Sequence, residues 1–180
     1  NQSSLADIAF MLLIFFLVTT TMDVDSGIYR KLPAWVNEDQ KPPDINERNV
    51  FVVGINLNNE LFVEGAYATI PELKDRVKEF IINPLQKDDL SEKETKFIEG
   101  LGDYDKSKGV VSLTNDRGTD YGSYIRVQNE LVAAFNELRD EFCYAQFGMK
   151  FKALSVELQE AVRLAIPTAI SEAEPVEIKR

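Results

Sequence analysis

One hundred and eighty residues leave room for one medium domain and an appendage, which excludes a large multidomain architecture. Thirty acidic against twenty basic residues give a formal charge of −10, the wrong sign for gripping phosphates, so nucleic acid is not an expected partner. With no histidine and one cysteine, Ser-His-Asp and Cys-His catalysis, His-ligated metals, internal disulfides and Cys-x-x-Cys knuckles are all excluded. No enzymatic activity and no cofactor are expected.

From Leu5 to Met22 the chain reads LADIAFMLLIFFLVTTTM, with Asp7 as its one ionisable residue; the first basic residue is Arg30. Eighteen helical residues span about 27 Å, close to the roughly 30 Å of a bilayer's hydrocarbon. The reading is a transmembrane helix over residues 1–22. A secretory signal would have a basic start and a small-residue cleavage site, and Thr19-Thr20-Thr21-Met22-Asp23 supplies none. The chain opens on Asn1, so a preceding segment is expected, and the charges that would set orientation are not in the sequence.

Asp7 needs an explanation. An ionised carboxylate at lipid depth costs on the order of 2.5–3.5 kcal/mol or more. A carboxyl in dry surroundings therefore keeps its proton, and it ionises when water or a polar partner arrives. That is the behaviour of a proton carrier. Helical spacing sets Ser4, Met11, Ile14 and Val18 within about 60° of Asp7, as candidate pore-facing positions on one stripe. One helix cannot shelter the acid alone, so a partner is implied. The competing reading is a plain tether, with Asp7 harmless at the membrane edge.

Residues 23–48, with Pro33, Pro42 and Pro43, read as an extended linker. Ile28, Leu32 and Pro33 make its first part too apolar for a pure spacer and are candidates for gating or partner contact. Residues 49–180 read as a small α+β domain, helices packed on one face of a mixed β-sheet. Asn49 to Val63 alternates around Asn58-Asn59 as a hairpin. Thr69-Ile70-Pro71-Glu72 has the spacing of a capping box and opens a helix that Asn83-Pro84 ends. Residues 85–108 are highly charged and read as a surface loop with at most one short helix. Gly109 to Thr114 reads as a buried strand, and Asn115-Asp116-Arg117-Gly118 as a turn in which Asp116 shapes the chain rather than catalysing.

Tyr121 to Phe142 then steps at three and four, the pattern of a long amphipathic helix, ended by Phe147-Gly148. The spacing predicts a further helix over Leu154–Ile166 and a closing strand at Thr168–Ile170. Cys143 reads as a packed core residue, with crosslinking of two copies as the alternative.

Ser4-Leu5-Ala6-Asp7-Ile8 running into MLLIFFLVTT resembles the ExbD/TolR family of inner-membrane energy transducers. Ile28 to Pro33, Gly54 to Gly65 and Val110 to Leu138 carry the resemblance onward, over about two thirds of the chain. It implies a single-pass protein of the inner membrane with its C-terminal domain in the periplasm. It further implies two copies, identical or related, inside a pentamer of ExbB-like subunits. Protons would be the coupling ion, Asp7 their carrier, and a TonB-like protein the recipient of the work. Residues 85–108 and 150–180 depart from the family pattern, so no TonB contact is carried over to them. A Tol-type envelope role and a tethered periplasmic binding module are the alternatives. A flagellar-type stator is not, because residues 49–180 carry no sign of a peptidoglycan-binding domain.

Overall fold

The computed structural model describes residues 2–19 and 46–173. Contacts divide the chain into two units, residues 1–42 and 43–180.

The first unit contains helix α1 (Gln2–Thr19). Its residues from Ile8 to Val18 are apolar without interruption, so no polar face marks a side turned to water. Near its end the Thr19 hydroxyl donates to the Phe15 carbonyl at 2.8 Å, the back-bond that lets a threonine sit in an apolar helix. Among the described residues no helix is long and apolar enough to cross a membrane. After Asp7 the apolar run of α1 is eleven residues long, Ile8–Val18, and the eighteen residues of the helix measure about 27 Å. The last residues of the expected span, up to Met22, and the linker candidates Ile28, Leu32 and Pro33 lie outside the described residues.

The second unit is a mixed α+β fold. Its main sheet has the order β3-β2-β1-β6-β7, built from β1 (Val50–Ile55), β2 (Leu61–Val63), β3 (Ala66–Ala68), β6 (Val110–Asn115) and β7 (Ile170–Glu172). The first three strands form an antiparallel meander, whereas β6 runs parallel to β1 and β7 parallel to β6. Phe51, Val53 and Ile55 are buried while Val52 is exposed, so β1 offers the core one face only. Asn56 makes the first turn: its side-chain oxygen accepts from the amides of Asn58 and Glu60. Asn59 takes the left-handed conformation there, at φ 64°. Glu64 and Gly65, at φ 51° and 77°, turn the chain again into β3, a strand the alternation around Asn58-Asn59 had not disclosed.

Helix α2 (Ile70–Ile82) starts on the expected capping box of Thr69 and Glu72 and ends at Asn83 in the left-handed region. Helix α3 (Tyr121–Phe147) starts where the Asp120 carboxylate accepts from the Ser123 amide and ends at Gly148. Leu73, Val77 and Phe80 of α2 and Val127, Leu131 and Phe135 of α3 are buried with the inward side chains of β1, β2 and β6 in one core cluster. Each such side chain contributes about 1.5–3 kcal/mol by leaving water. Helix α4 (Val156–Ala165) adds Ala161 and Ala165 to that core, and β7 closes the sheet two residues later than the expected strand.

The charged segment is not a loop. It holds β4 (Lys93–Ile98) and β5 (Gly102–Ser107), a separate two-stranded antiparallel sheet, and no helix. Of β4 only Ile98 is buried, so the strand carries no apolar alternation to announce it. Gly100 and Gly102, at φ 89° and 80°, allow its tight turn, and Thr95 donates across the strands to Asp105 at 2.6 Å.

Candidate functional site

On α1, Ser4, Asp7, Met11 and Ile14 are all exposed. Asp7 and Met11 share a shallow surface groove with Ile8, Leu12 and Phe15, which places the acid among apolar side chains. Among the described residues Asp7 has neither a hydrogen-bond nor an ion-pair partner. Val18 belongs to the same helix. Every large apolar side chain described on α1 is exposed, from Leu5 at 71% to Ile14 at 44%. Such a surface is unstable in water and demands a cover of lipid or protein. The described side chains of this helix thus offer a single carboxyl on an apolar surface.

In the folded unit Asp116 serves the turn, as its setting in the sequence suggested. It is buried, its amide donates to the Ile55 carbonyl at 2.9 Å, and its carboxylate accepts from the Gly118 amide at 3.3 Å. Two ion pairs join the helices: Lys74 Nζ lies 2.7 Å from Glu137 and Lys78 Nζ 2.5 Å from Glu141. The hydrogen bond from Lys74 holds the Glu137 carboxyl below its usual range, and the same bond raises Lys74. Among the described residues no group of acids and thiol is placed to hold a metal ion.

The open face of the main sheet is the feature the sequence reading missed. Val52, Phe62, Tyr67 and Thr114 line a concave surface there, with Leu57 at its end. The Phe62 and Tyr67 rings sit 4.3 Å apart across the β2–β3 pair. Its one sequence signal was Glu64-Gly65, a turn pair that commits the next residues to a returning strand.

Helix and domain together define a two-part protein: an apolar helix bearing a single acid, and an α+β unit with no catalytic constellation among its described residues. The model of the ExbD/TolR family, described as biopolymer transport protein ExbD/TolR, matches residues 1–138, and the chain belongs to that family. No curated protein matches it. The family is one of transport and energy transduction, whose members work with partner proteins in biopolymer transport complexes. The match takes in α1 and the fold as far as the middle of α3; α4 and β7 lie beyond it.

Proposed function

We propose that this chain is the ExbD-like subunit of a proton-driven motor in an inner membrane. In this reading α1, with the residues that follow it, crosses the bilayer inside a ring of ExbB-like helices beside a second ExbD-like copy. Asp7 takes a proton from one side and gives it up to the other, and Ser4, Met11, Ile14 and Val18 face the proton path. Residues 23–48 carry the motion to the α+β domain in the periplasm, with Ile28, Leu32 and Pro33 gating or engaging partners near the pore. A TonB-like protein receives the work for outer-membrane transport.

One observation carries the reading: a lone carboxylate on an otherwise apolar helix, in a chain of the ExbD/TolR family. Each elementary charge moved across 100 mV releases about 2.3 kcal/mol, so a few protons suffice for a mechanical step. No covalent chemistry is required. The test is Asp7→Asn, which keeps size and polarity but cannot titrate. It is expected to assemble normally and to abolish uptake that depends on the proton gradient. Full uptake by that variant rejects the relay and leaves the tethered binding module.

A further inference from the structure

Between the β4–β5 hairpin, the ends of α2 and α3 and the segment joining α4 to β7 lies a half-open pocket of about 220 Å³. Phe135, Leu138, Phe142 and Ile166 give it an apolar wall, and another wall is the outer side of β5 at Tyr104, Asp105 and Ser107. What that second wall presents follows from the pairing of the hairpin. The Lys108 amide donates to the Glu92 carbonyl at 2.8 Å, so Glu92 and Lys108 form a hydrogen-bonded pair. With the register running without a break from Lys93↔Ser107 to Ile98↔Gly102, every second pair after it is hydrogen-bonded too.

Glu94↔Lys106 and Lys96↔Tyr104 therefore spend their backbone groups inside the hairpin, whereas the amides and carbonyls of Asp103, Asp105 and Ser107 point away from β4. Among the described residues none of these outward backbone groups has a hydrogen-bond partner. Two of the three residues, Asp105 and Ser107, line the pocket. The feature is thus a bare strand edge running beside an apolar hollow, and folds ordinarily cover or blunt such an edge. Side chains alternate along it as well: Asp103 and Asp105 are exposed on one face, and Tyr104 turns to the other, its ring edge-on against Phe142 at 5.2 Å.

A strand added at this edge would meet acid, aromatic, acid in turn, and its complement reads base, apolar, base. We infer that the outer edge of β5 takes an extended segment of a partner protein as an added strand, with lysine or arginine opposite Asp103 and Asp105 and an apolar residue between them seated in the pocket. Main-chain bonds supply the grip in such an arrangement, and the pocket selects the side chain. The size agrees: about 220 Å³ is below the roughly 300–1,000 Å³ of drug-sized sites and suits an anchoring side chain rather than a whole ligand. A second copy of this chain fits less well, because pairing β5 with β5 sets Asp103 and Asp105 of each against the acids of the other. Neither Asp7 nor proton flow enters the argument, so its outcome is separate from that of the transport reading.

The test is amide hydrogen exchange, read residue by residue by NMR on the full chain in zwitterionic nanodiscs, with a capped peptide of Lys-Leu-Lys flanked by serines as the probe. Without peptide, the Asp105 and Ser107 amides should exchange faster than those of Tyr104 and Lys106. Saturating peptide should slow the first two by about tenfold or more and leave the second two nearly unchanged. The same peptide N-methylated throughout, or with glutamate for both lysines, should not bind. Asp105→Pro removes an outward amide and no bond to β4, so it should bind about fivefold more weakly than Asp105→Asn, which keeps that amide. Absence of saturable binding overturns the proposal, as does binding that leaves Asp105 and Ser107 unprotected or that survives N-methylation. Equal affinity of the two Asp105 variants overturns it too. Protection of these amides that grows with protein concentration and needs no peptide gives the edge to a second copy and also overturns it. If Asp105→Pro does not fold, the exchange pattern of the unsubstituted chain carries the decision.

Discussion

Arg139 shows how one side chain holds the second half of the fold in place. Its Nε donates to the Ile166 carbonyl at 2.9 Å and its Nη2 to the Thr168 hydroxyl at 2.6 Å, so it fastens the segment before β7 to α3. The guanidinium also lies 5.9 Å from the centre of the Phe151 ring. Arg139→Gln is therefore expected to cost about 1–3 kcal/mol in a denaturant titration, because both acceptors are left without their charged donor. A smaller loss than a few tenths of a kcal/mol would show that the segment is held by packing alone. Cys143 is fully buried, and burial pushes its thiol up. The native protein should accordingly resist thiol alkylation until it unfolds, with a labelling rate that follows the opening equilibrium. Rapid labelling of the native state, or a disulfide-linked pair, contradicts this. Gly109 is fixed by sterics: a Cβ there would meet Phe80 Cε1 at 2.6 Å and Ser91 Cβ at 2.9 Å. Gly109→Ala should lose about 1–3 kcal/mol by overpacking, read in the same titration.

At the scale of elements, the α2–α3 contact carries the clearest pH dependence. Glu137 titrates lower in the fold than in the unfolded chain because Lys74 donates to it, so its stabilisation is present above its ordinary value near 4.5. It is lost as pH falls through the depressed folded value. Lys74 is raised above 10.5, so its share persists through neutral pH and disappears only in strong base. The melting temperature should thus decline below pH 4.5, and Glu137→Gln should flatten that decline slightly, since solvent screens an exposed pair. An unchanged acid limb would show that other carboxylates govern it. Elements with a strong apolar period were legible in the sequence. Leu73, Val77 and Phe80 announced α2, and the Thr69–Glu72 pair its start; Tyr121 through Phe142 announced α3. The β4–β5 hairpin was not legible, because β4 buries one residue of its six and β5 none, too little apolar burial to mark a strand. β3 was hidden by its brevity, three residues behind a Glu64-Gly65 turn. The pocket lined by Ile81 and Ile166 was illegible for a third reason: its walls come from segments more than eighty residues apart, which only the tertiary fold brings together.

At the scale of the whole molecule, the two units differ in kind. Among its described residues the folded domain has a closed core, satisfied buried polar side chains and capped helices. The helix is its opposite, a surface of exposed Leu, Ile and Phe carrying one acid. Asp7 is a candidate on sequence grounds alone, because a single charge in an apolar run is expensive wherever it is not used. The ring of partner helices proposed above is not written in this chain, which would hold only one side of such a contact. Intact mass measurement of the complex extracted from native membranes should show larger membrane subunits bound around copies of this chain; a chain recovered alone would argue for a tether.

The most direct measurement is proton flux into liposomes containing that purified complex under an imposed gradient. Wild-type complex should conduct, and Asp7→Asn complex of unchanged composition should fall to the level of empty liposomes. Equal flux through both would contradict the account at its centre.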